Sequence, residues 1–298
     1  MGYLYFYICD MLNLGLIGDI QLLDAFIQKA QKHREVHITG KSSVGTPSKP
    51  GHTRYSVPEF NRIELIERSD VLLINRFSLL PFDLLCDMVK KSKHFFATSY
   101  PELTSNECNQ IAKLAEEAQT IIQVTNPFYY TPAIQWLNAN VKQPSLIEVS
   151  HFSDEQPADD ILVGLILMLK NSAGTTPKKI NAVSFRSAPA DSEINSIQME
   201  FGNGTRVNIC YGKMSTESEF RIKTFANNQF TDFDFIRNQY FCNNIPLDLS
   251  ELEEKEETND FLNSIILKKQ NTTNIEDYSA VIQTVQRIKS KLDHFSGN

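Results

Sequence analysis

Met11–Phe26 reads MLNLGLIGDIQLLDAF. Leu12, Leu14, Leu16 and Ile17 have the pattern of a buried strand. Gly18 falls where the chain turns into a helix that carries Leu22, Leu23, Phe26, Ile27 and Ala30 on one face. Strand, glycine turn and helix in that order open a nucleotide-binding unit when the turn carries G-x-G-x-x-G. Counted from Gly18, the second glycine position holds Ile20 and the third holds Leu23. A side chain at the second position keeps the backbone from a pyrophosphate, and one at the third holds helix and strand apart. The turn therefore speaks for the fold and against a dinucleotide.

Working outward, Val36–Thr39 is a short second strand ending at Gly40-Lys41-Ser42-Ser43. The acid expected about twenty positions beyond the glycines to hold a ribose 2'-hydroxyl is missing. Lys41 beside two serines would suit a 2'-phosphate, hence NADP over NAD if either binds; otherwise it is an exposed loop lysine. Residues 41–60 are rich in Ser, Gly and Pro and carry Lys41, Lys49, His52 and Arg54, a basic loop that is either mobile or meets an anionic ligand such as a nucleotide or sugar phosphate. Next come a helix through Ile63–Glu67, a continuous apolar strand Asp70–Ile74, a helix Phe82–Lys91 and a strand His94–Thr98. Thr104-Ser-Asn-Glu107 has capping-box spacing and opens a helix to Ala118, and Thr120–Val124 is one more strand. Strands alternating with helices predict an α/β domain with a doubly wound, Rossmann-type parallel sheet over residues 1–126.

The second half, 127–298, has another texture. Ser145–Phe152 and Lys179–Arg186 are strands, and Ile161–Leu169 is an apolar helix. SIQMEF and RVNICYG flank Gly202-Asn203-Gly204 as a hairpin, and Phe220–Phe225 pairs with Phe230–Phe235 across Asn227-Asn228. This predicts an α+β domain with a mostly antiparallel, open-faced sheet whose free face is solvated or covered by another subunit. The acidic run Glu251–Glu257 reads as a solvated face or a helix start. Thr273-Asn-Ile-Glu276 has capping-box spacing for a last amphipathic helix through Leu292, and no internal repeat is present.

The chain has 298 residues, 41% hydrophobic and 22% charged, with a formal net charge of -7. That composition is globular, and the acidity argues against a general nucleic-acid or anionic-membrane binder. Its five cysteines are dispersed, without C-x-x-C or histidine at ligand spacing, as expected of reduced thiols in a cytoplasmic protein without a bound metal. Residues 1–10 lack a basic n-region and are too short to span a membrane. They read as an extension outside the fold or an extra edge strand.

The order of these elements, with LGLIG, DVLLIN, KHFFATSYPELTSNE, IIQV, KKINAV and the closing NDFLNSIILKKQNTTNIEDYSAVIQTVQRI, resembles the glucose-fructose oxidoreductase, inositol dehydrogenase and MocA-type (Gfo/Idh/MocA) family over Met11–Leu292. The resemblance implies a nicotinamide cofactor, NAD or NADP, and oxidation or reduction of a sugar, polyol or sugar nucleotide. It also implies a homodimer or tetramer through the second domain's sheet. Such chemistry needs a hydride donor, a cation at the reacting oxygen and an acid-base group.

The family's Glu-Lys-Pro is here Ser99-Tyr100-Pro101, so the cation is lost. Tyr100 is a candidate acid, although a phenol with a pKa of about 10 replaces it poorly without a cation nearby. The family's histidine has no counterpart in residues 154–164. Asp159 or Asp160 falls nearest its place, as a proton acceptor or a helix cap, and His151 is the one histidine near the expected cleft. The Thr-Pro that lines the cofactor is Arg76-Phe77, and a histidine beyond it is Pro81. Arg76, at a strand's carboxyl end, is a candidate anion contact. With the turn residues Gly18, Asp19 and Ile20, and with Lys41 and Pro101, it completes the candidate cofactor set. The departures fall at the site while the fold-bearing positions stay intact. The expected function is a catalytically degenerate binding or assembly subunit; the alternative is an oxidoreductase with a non-standard site.

Overall fold

A computed structural model describes residues 11–43, 57–155, 159–187, 192–214, 218–250, 252, 255–269 and 271–295. The chain forms two compact units, one of residues 1–125 with 256–276 and the other of residues 126–255 with 277–298.

In the first unit, β1 (Leu12–Gly18), α1 (Ile20–Ala30), β2 (Val36–Ser43), α2 (Arg62–Arg68), β3 (Val71–Ile74), α3 (Phe82–Lys90), β4 (His94–Ala97), α4 (Ser105–Ala118) and β5 (Ile122–Val124) follow one another. The strands form one parallel sheet in the order β2-β1-β3-β4-β5. β3 is buried along its whole length, as a strand covered on both faces must be. The Thr104 capping box forms in both directions, with Glu107 on the Thr104 backbone and Thr104 on the Glu107 amide.

β2 runs four residues past its expected end because Pro58–Phe60 pairs alongside it. The Lys41 N–H donates to the Pro58 carbonyl and the Phe60 N–H to the Lys41 carbonyl, both at 2.9 Å. Gly40 makes room for this contact: a Cβ there would lie 2.5 Å from the Phe60 ring.

The second unit opens with α5 (Pro132–Asn140), which the sequence reading did not anticipate. It continues through β6 (Leu146–Ser153), α6 (Asp159–Ala173), β7 (Pro177–Ser187), β8 (Ser192–Phe201), β9 (Arg206–Lys213), β10 (Glu219–Ala226), β11 (Gln229–Asp234), β12 (Gln239–Cys242) and β13 (Ile245–Pro246). These strands make an eight-stranded sheet, β13-β12-β11-β10-β6-β9-β8-β7, antiparallel except between β6 and β9. Burial alternates along it, with Ile147, Val149, Ile209 and Ile222 inside and Glu148, Ser150, Asn208 and Lys223 on the open face. The Asn203-Gly204 turn closes β8 and β9, with Gly204 at φ +90°.

The chain then returns to the first unit through α7 (Glu257–Ile266), whose Phe261 and Leu262 complete the core of Leu14, Leu16, Leu23, Ile27 and Phe96. The acidic run thus ends in a buried side chain: Glu257 accepts from the Thr125 hydroxyl at 3.0 Å. The last helix, α8 (Ile275–Phe295), starts one residue later than a Thr273 cap would place it, and the Thr273 carbonyl accepts from the Val124 N–H instead. Among the described residues no helix is long and apolar enough to cross a membrane.

Candidate functional site

In an open parallel sheet, ligands bind beyond the carboxyl ends of the strands, at the point where strand order reverses. Here that point lies between β1 and β3, and a side chain fills it. Asn75, the residue after β3, accepts the Asp19 N–H on Oδ1 and donates Nδ2 to the Asp19 carbonyl, each at 2.9 Å. Its own N–H donates to the Ile17 carbonyl, and the Ser99 hydroxyl donates to its carbonyl at 2.8 Å. Asn75 is 9% exposed.

Gly18 is needed for this latch, since φ is +120° and a Cβ would lie 1.8 Å from Asn75 Oδ1. Asp19 caps α1, its carboxylate accepting the Gln21 N–H at 2.9 Å. A helix N-terminus attracts anions through such free amides; here the chain's own carboxylate has taken one. Ile20, expected to obstruct the turn, instead packs against the core of β1, α1 and α7. Asn75 and Asp19 are the side chains that hydrogen-bond at the turn itself. Asn75 was legible only as the end of an apolar strand, because its partner lies 56 positions upstream.

Lys41 is neither a loop lysine nor a free cation. It lies within β2, its side chain largely buried and 3.9 Å from the Glu59 carboxylate. Glu59 also accepts from the Ser43 amide at 2.6 Å and hydroxyl at 2.8 Å. Ser43 pairs with Gly18, so a carboxylate sits at the end of β2 where the sequence spacing showed none. Arg76 is exposed and makes no ion pair among the described residues. Tyr100 is half-buried and Pro101 buried in the link from β4 to α4. Lys49, His52 and Arg54, like residues 1–10, lie outside the described residues.

In the second unit, Asp159 and Asp160 begin α6, and the Asp160 side chain is exposed. His151, on β6, is half-buried with its ring centroid 5.3 Å from Phe220 and 6.5 Å from Phe128. Burial lowers its pKa, partly offset by its own peptide group, and Nδ1 is buried without a hydrogen-bond partner among the described residues. A small cavity of about 40 Å³ lies among α5, α6, β6 and β10, lined by Leu137, Asn138, Ile147, Met168 and Ile222. No group of three metal-ligating side chains occurs among the described residues.

No family model matches the chain, and no curated protein matches it by sequence. Solved structures do. UDP-N-acetylglucosamine 3-dehydrogenase GnnA from Acidithiobacillus ferrooxidans is similar at TM-score 0.78 and 17% identity, over 95% of this chain and 98% of that one. Biliverdin reductase from Synechocystis sp. PCC 6803, solved with biliverdin and NADP+, is similar at TM-score 0.73 and 13% identity, over 95% and 99%. The dehydrogenase MviM from Clostridium difficile is similar at TM-score 0.73 and 13% identity, over 94% and 99%. The chain thus has the fold that the resemblance implied, shared with these dehydrogenases and this reductase at 13–17% identity.

Proposed function

We propose that this protein keeps an oxidoreductase fold for binding or assembly and no longer transfers hydride. The observation that carries this reading is the Asn75 latch with the Asp19 cap. Together they put an amide in the crevice, and a negative charge at the helix N-terminus, where a pyrophosphate would need open backbone N–H groups. The loss of the family lysine and histidine at Tyr100 and at residues 154–164 supports the same reading. A homodimer or tetramer through the open face of the second unit's sheet fits it, since that face keeps half-exposed Glu148, Asn208 and Lys223 in regular array.

The competing reading is a nicotinamide-dependent oxidoreductase on a sugar, polyol or sugar nucleotide, using Tyr100, Asp159 or Asp160, and His151. Arg76 favours it, as an exposed cation at the end of β3 without an ion pair among the described residues. In that case Glu59 turns the preference from NADP to NAD, because a carboxylate beside Ser43 repels a 2'-phosphate and accepts from a 2'-hydroxyl.

Calorimetric titration with NADH and NADPH, on protein freed of carried-over ligand, decides between the two. The expected result is no heat and an unchanged melting temperature at millimolar cofactor. A dissociation constant tighter than about 100 μM, or about 5.5 kcal/mol, overturns the proposal.

A further inference from the structure

The turn between β8 and β9 holds the chain's one Asn-Gly pair, Asn203-Gly204, and both residues are exposed. The Asn203 side chain is nonetheless engaged at both ends. Oδ1 accepts the Thr205 N–H at 3.0 Å, closing an Asx turn. Nδ2 donates to the carbonyl of Ala173, the last residue of α6, at 3.1 Å. Gly174 ends that helix at φ +67°, its N–H returning to the Lys170 carbonyl. One amide thus closes the hairpin and satisfies a carbonyl at the negative pole of α6.

The Asx turn also sets this amide against the backbone. Its ring runs from Oδ1 through Cγ and the Asn203–Gly204 peptide to the Thr205 N–H, so Cγ and the Gly204 nitrogen lie within one closed turn. Gly204 has no side chain to keep them apart, and a Cβ there would meet nothing within 4 Å, so water reaches the turn freely. The Thr205 N–H points at the oxygen on which negative charge gathers when Cγ is attacked.

We propose that Asn203 is a site of self-modification, where the chain converts its own amide to a carboxylate. The Gly204 nitrogen bonds to Asn203 Cγ, the Cγ–Nδ2 bond breaks, and the Gly204 amide proton leaves with Nδ2 as ammonia. The five-membered imide left behind takes up one water. Opening at Cγ gives aspartate, and opening at the main-chain carbonyl gives isoaspartate. Hydroxide draws the proton from the attacking nitrogen, so the rate rises with pH.

Either product undoes the contact with α6. A carboxylate has no proton to donate to Ala173 and brings negative charge to a helix C-terminus that repels it. Isoaspartate also adds a methylene to the backbone between β8 and β9, whose register the turn fixes. Regular structure shields the other asparagines with a small neighbour. Asn171, Asn195 and Asn263 each precede a serine but lie inside α6, β8 and α7, where the backbone is held by its own hydrogen bonds. The site belongs to the second unit and owes nothing to the β1–α1 turn, so this reading and the proposed function can each fail alone.

The test is incubation of the intact folded protein at mildly alkaline pH. Products are read by peptide mass and by chromatographic separation of the aspartate and isoaspartate forms. Asn203 should convert before any other asparagine and faster as pH rises, and the aged protein should melt a few degrees below the fresh one. Asn203→Asp should show a lowered melting temperature from the outset. Gly204→Ala crowds the attacking nitrogen and should slow conversion severalfold; because it also carries strain at φ +90°, its conversion rate is the readout and not its stability. Asn203 still intact after other asparagines have converted overturns the proposal. So does an equal rate in Gly204→Ala, or an Asn203→Asp variant that melts with the wild type.

Discussion

The latch between β3 and the β1–α1 turn makes Gly18 and Asn75 one unit, and a double-mutant cycle measures it. Asn75→Ala removes two hydrogen bonds to the Asp19 peptide. At about 1 kcal/mol net for each, the loss is about 2 kcal/mol, because half-exposed Asp19 recovers some hydration. Gly18→Ala meets two separate penalties. A φ of +120° strains any residue with a Cβ by about 1–3 kcal/mol. In addition the new methyl lands 1.8 Å from Asn75 Oδ1, an overpacking worth about 1–3 kcal/mol. Only the second penalty involves the Asn75 side chain. In an Asn75→Ala background, Gly18→Ala should therefore cost about 1–3 kcal/mol less than it does alone.

The assay is urea unfolding followed by far-ultraviolet circular dichroism, with the coupling taken from the four extrapolated stabilities. A double variant that folds where Gly18→Ala alone does not gives the same answer. Additivity within about 0.5 kcal/mol would refute the reasoning and return Gly18 to a role set by backbone conformation alone.

Acid should unfold the protein in part through His94. Its Nδ1 accepts the Ile121 N–H at 2.9 Å, and burial lowers its pKa against a smaller opposing pull from Asp70. A depressed histidine binds its proton more readily unfolded than folded. Its contribution is therefore complete above the unfolded value of about 6.5 and is lost as pH falls from there toward the folded value. His94→Gln keeps an acceptor for Ile121 and removes the titration, so its stability should fall less than the wild type's between about pH 7.5 and 5.5; equal slopes would discard this assignment. Light scattering at micromolar concentration should give the mass of a dimer or tetramer, and a monomer mass counts against assembly through the open sheet.

The regular elements were legible because their signals are local. The Leu12–Ile17 strand, the Asp70–Ile74 run, the Thr104 capping box and the Asn203-Gly204 hairpin each state their structure within a few residues, through side-chain period, cap or turn. α5 escaped because Pro132–Asn140 has no strong periodic face, and β12 and β13 because strands of four and two residues carry too little pattern to read.

By itself, then, the sequence determined the alternation of elements, the change of texture near residue 126 and the absence of the glycines, lysine and histidine that hydride transfer would use. Only the tertiary structure decided what stands in their place. Asn75 reaches Asp19 across 56 positions, Glu59 folds back to Ser43 across 16, and α7 returns to cover α1. The same holds for Lys41, which charge alone marked as a phosphate ligand and which Glu59 pairs. The physical reason is range. Backbone propensity and burial act on neighbours in the chain. A site's charge and hydrogen-bond balance is set by groups brought together from distant segments, and their pairing is decided when the sheet closes.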